Sequence, residues 1–358
     1  MDALPISSTK IDKSFPGTPQ VSSPSGAASA LIVEAPVGQI VTPTLSIPGD
    51  FHIHVAQYRP TDRPIEDRFS LDFDAEKTRL ILGVYDGHGG PETADHISKV
   101  LPPLLLERSP SEHAQIFEEL DHSILLKFKQ DHLFLRRKSF DWIHNAQLVK
   151  SGSTALVIDI DLQSLSATYA NAGDCRLVVC DLNSGRLDPL LQTNDLNMKT
   201  SLERDRLVYE HPNEDQIIVG DRLFGRLMCT RGFGDGYYKL PRGLFGNSQH
   251  RKYIDTLSAI ERPGKIPMNK QYASLFYGYK TPPYITATPE TGTYQLEKGN
   301  IVILATDGLW DLISSEEATR ILLQGVAECE DNLPCYLLEN IKAKTSPGDD
   351  ITVIVFKI

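Results

Sequence analysis

Asp86, Gly87 and His88 place a carboxylate, a backbone carbonyl with no side chain beside it and an imidazole at consecutive positions, at the end of the apolar run Ile81 to Tyr85. Such a set offers oxygen ligands to a cation with a proton carrier next to them, which is the chemistry of metal-assisted hydrolysis. Glycines after a strand by themselves mark only a turn. Here, though, the pairing of an apolar strand with a carboxylate beside glycine recurs at Asp307-Gly308, Gly348-Asp349-Asp350, Gly173-Asp174 and Gly234-Asp235. Neighbouring strands of a sheet bring their ends together, so Asp86, Asp307 and Asp349 are expected to converge, with Glu66 and Asp67 within reach from the charged, proline-pinned loop Arg59 to Arg68. Hard carboxylates without a Cys or triple-His set suit Mg²⁺ or Mn²⁺ and not Zn²⁺. A two-metal site is the leading reading, and for any single Asp the alternative of a turn-capping side chain stays open.

The elements that must position these residues follow from hydrophobic period. Phe51 to Tyr58 alternates as a half-buried strand does, and Arg79 to Tyr85 is the strand that delivers Asp86. Pro91 opens a helix whose apolar face is Ile97, Val100, Leu101, Leu104 and Leu105, and a second helical stretch runs from about Ser111 to Arg137. After Ser151 the period switches to two, giving a hairpin and a further strand to Cys180, and later strands are expected over 223–230, 285–296, 300–305 and 351–358. Helices are expected over 199–209, from the Ser314 N-cap, and over 333–344. Residues 1–50, rich in Ser, Pro, Thr, Ala and Gly, read as a disordered or loosely docked N-terminal arm. The domain then spans 51–358, with an irregular basic insertion at 237–283 that carries Lys239, Arg242, Arg251, Lys252 and Lys280.

Composition sets the outer bounds. The 358 residues carry a formal net charge of −11, which argues against unspecific nucleic-acid binding and favours divalent cations as partners. No apolar run approaches the length of a membrane span. Five cysteines, with no C-x-x-C pair, suggest neither a disulfide framework nor a zinc site and fit a reducing, intracellular compartment. The chain shows no secretory leader, and its first arginine is Arg59, so no mitochondrial presequence is visible. Cys180 to Arg186 satisfies C-x₅-R, the phosphate loop of thiolate phosphatases, but it reads as a hairpin turn with Asp181 beside the thiol, which raises a thiol pKa.

PIEDR, VYDGHGG, SGSTA, NAGDCR, TRGFGD, ATDGLWD and GDDITVIV, in this order, resemble the metal-dependent Ser/Thr protein phosphatases of the PPM class (phosphatase type 2C) over about residues 51 to 358. PIEDR, TPPYITATPE and the insertion before it look most like the pyruvate dehydrogenase phosphatase branch. The resemblance implies an α+β fold, a four-layer αββα sandwich of two antiparallel sheets flanked by helical layers. It implies two Mg²⁺ or Mn²⁺ ions per active site: Asp86 bridging them, the Gly87 carbonyl binding one, Asp307 and Asp349 holding the other, and Glu66 and Asp67 acting directly or through water. Asp174 and Asp311 match positions that can bind a third, weaker ion.

Hydrolysis of phosphoserine or phosphothreonine would proceed by direct attack of a metal-bridging water, with His88 as the acid for the leaving group. The partner is a phosphoprotein, of pyruvate dehydrogenase phosphatase-like type if the branch resemblance holds, and the basic insertion is expected to help recognise it. Four residues before Glu66, where relatives carry a phosphate-binding arginine, stands Asp62, so Arg63 or Arg59 is the expected anchor. The branch points to the mitochondrion and the N-terminus to the cytoplasm. The rival from another class is a catalytically inactive, phosphatase-like scaffold that holds phosphoproteins.

Overall fold

The computed structural model describes residues 35–46, 51–132, 138–242, 247–260 and 268–358. The strand Arg79–Tyr85 shows why the fold is layered. Its apolar run is unbroken, and its two faces enter different cores: Leu80, Leu82 and Val84 point between the sheets, while Ile81 and Tyr85 point toward helices. A strand covered on both faces loses the polar half of its alternation.

Arg79–Tyr85 lies in a five-stranded antiparallel sheet with Arg68–Asp74, Ala155–Asp161, Ser166–Ala172 and Glu290–Gln295. The second sheet centres on His52–Tyr58, Ile351–Lys357, Asn300–Ala305 and Arg176–Asp181, again antiparallel. Ile53, Val55, Leu177, Val179, Val302, Leu304, Ile354 and Phe356 meet Leu80, Leu82, Val84, Leu156 and Ile158 between the two sheets. On the outer face of the first sheet pack Glu92–Glu107, His113–Asp131 and Trp142–Lys150. On the outer face of the second pack Ser315–Ala327 and Leu333–Lys342. The expected αββα sandwich is therefore the observed architecture.

Part of the expected N-terminal arm is ordered against the second sheet: Ile40–Val41 and Thr44–Ser46 pair antiparallel with His52–Tyr58. Residues 1–34 and 47–50, including the boundary placed at Pro48, lie outside the described residues.

The expectation of an irregular insertion at 237–283 needs correction, because Asn247–Ala259 is a helix of 13 residues. Its buried face, His250, Tyr253, Ile254 and Leu257, follows helical spacing but is outnumbered by polar residues, so composition concealed it. The strand expected over 223–230 is also absent: Arg222–Leu223 closes a two-residue hairpin with Ile218–Val219, and the chain turns away through Phe224 and Gly225, both at positive φ.

The cations of the insertion divide by environment. Lys239 is buried and pairs with Asp121 at 2.8 Å, and Lys280 pairs with Asp215 at 3.1 Å. Arg251 and Lys252 are exposed and line a cavity of about 800 Å³ between Trp142–Lys150 and Asn247–Ala259.

Candidate active site

Three strand ends build the site. Arg79–Tyr85 ends on Asp86, Asn300–Ala305 ends on Thr306 and Asp307, and Ser166–Ala172 turns through Gly173 into Asp174. Carboxylate oxygens of Asp86, Asp174 and Asp307 all lie within 4.8 Å of one another. The loop before Arg68 supplies Asp67, only 2% exposed, which accepts a hydrogen bond from Thr306 Oγ1 at 2.8 Å. Arg68 fixes that loop by donating to the carbonyls of Ile65 and Asp67 and by pairing with Asp95. Gly87 has no room for a side chain, since a Cβ there would overlap the Glu66 carbonyl.

Asp349 is placed differently from the others. It is exposed, accepts a hydrogen bond from the Asp350 amide at 2.8 Å and reaches Asp307 only through its charge. Asp350, which the sequence reading did not single out, is half-buried and accepts from the Glu66 amide at 2.8 Å, tying the two acidic loops together. The Gly-Asp-Asp doublet was the available signal, and nothing in it distinguished ligand from tie. Asp174 sits inside the cluster, held by the Asn197 amide at 3.1 Å, whereas Asp311 is exposed at the rim and pairs with Lys199 at 3.2 Å. A polar cavity of about 120 Å³ opens between them.

His88 belongs to a different arrangement. Gly87–His88 pairs with Gly152–Ser153, which pairs in turn with Phe233–Gly234, and this three-stranded patch brings Asp235 to His88. Both Asp235 oxygens lie 2.9 Å from His88 Nε2. Asp235 is fully buried and left-handed at φ 54°, a strained conformation that Asp tolerates better than most residues. Gly152 faces the pair with no space for a Cβ. Burial pulls the imidazole pKa down, but the Asp235 carboxylate outweighs it and the net shift is upward, so the ring holds its proton more firmly.

Of the expected phosphate anchors, Arg59 donates to the backbone carbonyls of Thr61 and Asp62 and acts electrostatically on Asp350. Arg63 is exposed on the same loop. Cys180 is buried in a strand with its thiol pushed up to about 11 by burial, which disqualifies it as a thiolate nucleophile.

The carboxylates fit divalent cations. Burial first, and then the neighbouring charges, hold Asp67 and Asp86 well above the usual carboxylate range, push Asp307 up to about 7 and raise Asp174. Oxygen-only donors whose ionisation is penalised in this way are what a hard cation relieves. At these acids the folded state binds more protons than the unfolded one between the ordinary carboxylate pKa and about 7, so their contribution to metal-free stability falls as pH rises through that window. Buried histidines such as His96, whose pKa burial pulls down, contribute the opposite sign, so the site's share is read against Asp86→Asn. In EDTA the parent should lose stability relative to that variant between about pH 5 and about pH 8, and Mg²⁺ should raise the parent's melting temperature most at the higher pH. A parent that gains on the variant over this range would contradict the arrangement.

A family model described as protein phosphatase 2C matches residues 56–339. The human mitochondrial pyruvate dehydrogenase (acetyl-transferring) phosphatase 2 is 35% identical over 330 residues, covering 75% of this chain and 60% of that protein. A protein phosphatase 2C homologue of Schizosaccharomyces pombe is 29% identical, covering 78% of this chain and 64% of its own length. The mitochondrial pyruvate dehydrogenase (acetyl-transferring) phosphatase 1 of Saccharomyces cerevisiae is 27% identical, covering 77% and 51%. The chain thus spans between 51% and 64% of these relatives' lengths. Among solved structures, a Toxoplasma gondii phosphatase superimposes with a TM-score of 0.57 at 16% identity, covering 89% of this chain and 96% of that one. A sex-determining protein of C. elegans gives a TM-score of 0.56 at 20% identity, covering 87% and 65%. At those identities the likeness is one of fold.

Proposed function

The chain belongs to the protein phosphatase 2C family, and from that premise we propose that it is a metal-dependent phosphatase hydrolysing phosphoserine and phosphothreonine in proteins. The observation that carries the reading is the convergence of Asp86, Asp174 and Asp307 within 4.8 Å beside the pair of a half-buried His88 and a fully buried Asp235. We assign Asp86, the Gly87 carbonyl, Asp307 and Asp349 as ligands of two Mg²⁺ or Mn²⁺ ions, with Glu66 and Asp67 in support. Asp174 and Asp311 flank the place for a further ion.

When bound, the cations neutralise charge on the phosphoryl oxygens and ease deprotonation of the attacking water. The chain's own groups do the rest. Thr306 fixes the Asp67 carboxylate, and the Asp350 carboxylate fixes the Glu66 loop by accepting from the Glu66 amide. As the bond from phosphorus to the serine or threonine oxygen breaks, that oxygen becomes strongly basic and takes the proton from His88. Asp235 aims the imidazole and favours its protonated form until then. Arg63 or Arg59 meets the substrate phosphate from the Glu66 loop.

The names of the human and S. cerevisiae relatives describe mitochondrial pyruvate dehydrogenase phosphatases, which supports a substrate of that type and the same compartment for this chain. Arg251 and Lys252, exposed beside the cavity between Trp142–Lys150 and Asn247–Ala259, are placed to meet a phosphoprotein surface.

The reading is tested by phosphate release from matched phosphoserine, phosphothreonine and phosphotyrosine peptides, with Mn²⁺ and after chelation. Hydrolysis of the first two, only with the cation, is expected. Tight phosphopeptide binding without release under any divalent cation would make the chain a scaffold instead.

A further inference from the structure

We propose that His88, Cys229 and Asp235 form a separate, softer cation site that takes Zn²⁺ and, when filled, removes His88 from the reaction. The His88 ring nitrogen, the Cys229 sulfur and an Asp235 oxygen all lie within 4.8 Å of one another. Nitrogen, thiolate sulfur and carboxylate oxygen are the donors Zn²⁺ prefers, and three of them with a fourth position open to water is a common zinc arrangement. The oxygen-only cluster around Asp86 has the opposite character, so the two sites sort cations by softness.

The backbone holds the three donors together from separate parts of the chain. His88 and Asp235 meet through the patch formed by Gly87–His88, Gly152–Ser153 and Phe233–Gly234. Cys229 is set by its bridge to Asn197, and the following residue, Thr230, donates its amide to the Leu196 carbonyl. Asp235 is fully buried and Cys229 is 4% exposed, while the His88 side chain keeps 23% exposure and leaves one side for a cation to enter. Gly152 packs its backbone directly against the His88–Asp235 pair, where a Cβ would overlap both side chains, and so fixes the two donors from that side.

On binding, the Cys229 S–H bond breaks, its proton leaves to water and the sulfur electron pair goes to the cation. The His88 nitrogen gives its lone pair to the cation in place of the hydrogen bond to Asp235, and any proton it carried is also released to water. No oxidant or reductant takes part. With Nε2 coordinated the ring is held as a neutral imidazole whose remaining Nδ1 proton is far less acidic than that of an imidazolium, so His88 no longer serves as the acid for the leaving group. The inhibition rests on the role proposed above for His88, but the binding does not.

The test uses Co²⁺ as a spectroscopic stand-in for Zn²⁺, added to the full chain in excess Mg²⁺ so that the carboxylate cluster is occupied. A thiolate-to-cobalt charge-transfer band is expected, removed by Zn²⁺, lost in Cys229→Ser and kept when Cys329 and Cys335 are both replaced by serine. Cys229→Ala repeats the measurement should the serine variant melt early. In parallel, Cys229→Ser should keep Mn²⁺-dependent turnover while its sensitivity to Zn²⁺ falls at least about 10-fold, the scale of losing a ligand-sphere group. Absence of the band, its survival in both Cys229 variants, or its loss only with Cys329 and Cys335 would overturn the site, whatever the outcome of the turnover assay.

Discussion

Asp86→Asn is expected to lower kcat/KM for a phosphothreonine peptide by about 10³-fold or more, the equivalent of about 4 kcal/mol of transition-state stabilisation lost with a misplaced cation. The amide has nearly the shape of the carboxylate, and the backbone carbonyl of Asp86 still accepts from the Thr154 amide at 3.0 Å, so the strand end should hold. Stability should move the other way. Asp86 is held well above the usual carboxylate range by burial and by the charges of Asp307, Asp67 and Asp174, so removing its charge relieves repulsion in the metal-free protein. The expected pair of results is an unchanged or higher melting temperature in EDTA and a smaller rise on adding Mg²⁺. A variant that melts early would attribute the loss to folding, and one that keeps activity within about tenfold of the parent would remove Asp86 from the centre of the site.

Lys239→Met should cost about 3–5 kcal/mol of unfolding free energy, measured by urea denaturation, because it leaves the Asp121 carboxylate buried without its countercharge. Lys239 Nζ donates to Asp121 Oδ2 at 2.8 Å and to the Gly232 carbonyl at 2.6 Å, and Asp121 Oδ1 accepts from the Gly234 amide at 2.9 Å. Through these bonds the helix His113–Asp131 grips both sides of the turn that carries Asp235. The double replacement Lys239→Met with Asp121→Leu should recover much of the loss, since a buried ion pair swapped for apolar groups is often close to neutral. Its kcat should nevertheless stay low if the grip is what aims Asp235 at His88. A single-variant loss under about 1 kcal/mol would mean that water reaches the pair and that it adds little.

Lys239 illustrates what a sequence hides. It counted among the insertion's basic residues, and composition carries no sign that its partner, Asp121, waits on a helix more than a hundred residues earlier. The same holds for His88 and Asp235, whose encounter depends on three strands of two residues each, too short to show any period. The recurring carboxylate beside glycine did mark Asp86, Asp174, Asp235 and Asp307, because a strand end needs a turn and a site needs its acids at strand ends. It could not rank them: Asp349 and Asp350 stand side by side, and only the fold shows that Asp350 ties down the Glu66 amide while Asp349 faces solvent. The sandwich was legible in the long strands, whose apolar runs require cover on both faces. The helix Asn247–Ala259 was not, because a few apolar positions sufficed to dock it.

The central claim is that the carboxylate cluster works only through the cations it holds. Its most direct test is to titrate Mn²⁺ into metal-free protein while following free Mn²⁺ by electron paramagnetic resonance and phosphate release in the same sample. Release should be absent at zero occupancy, rise with bound Mn²⁺ and vanish again on chelation, with Asp86→Asn shifting both curves together. Full phosphate release before any Mn²⁺ is bound would contradict the account.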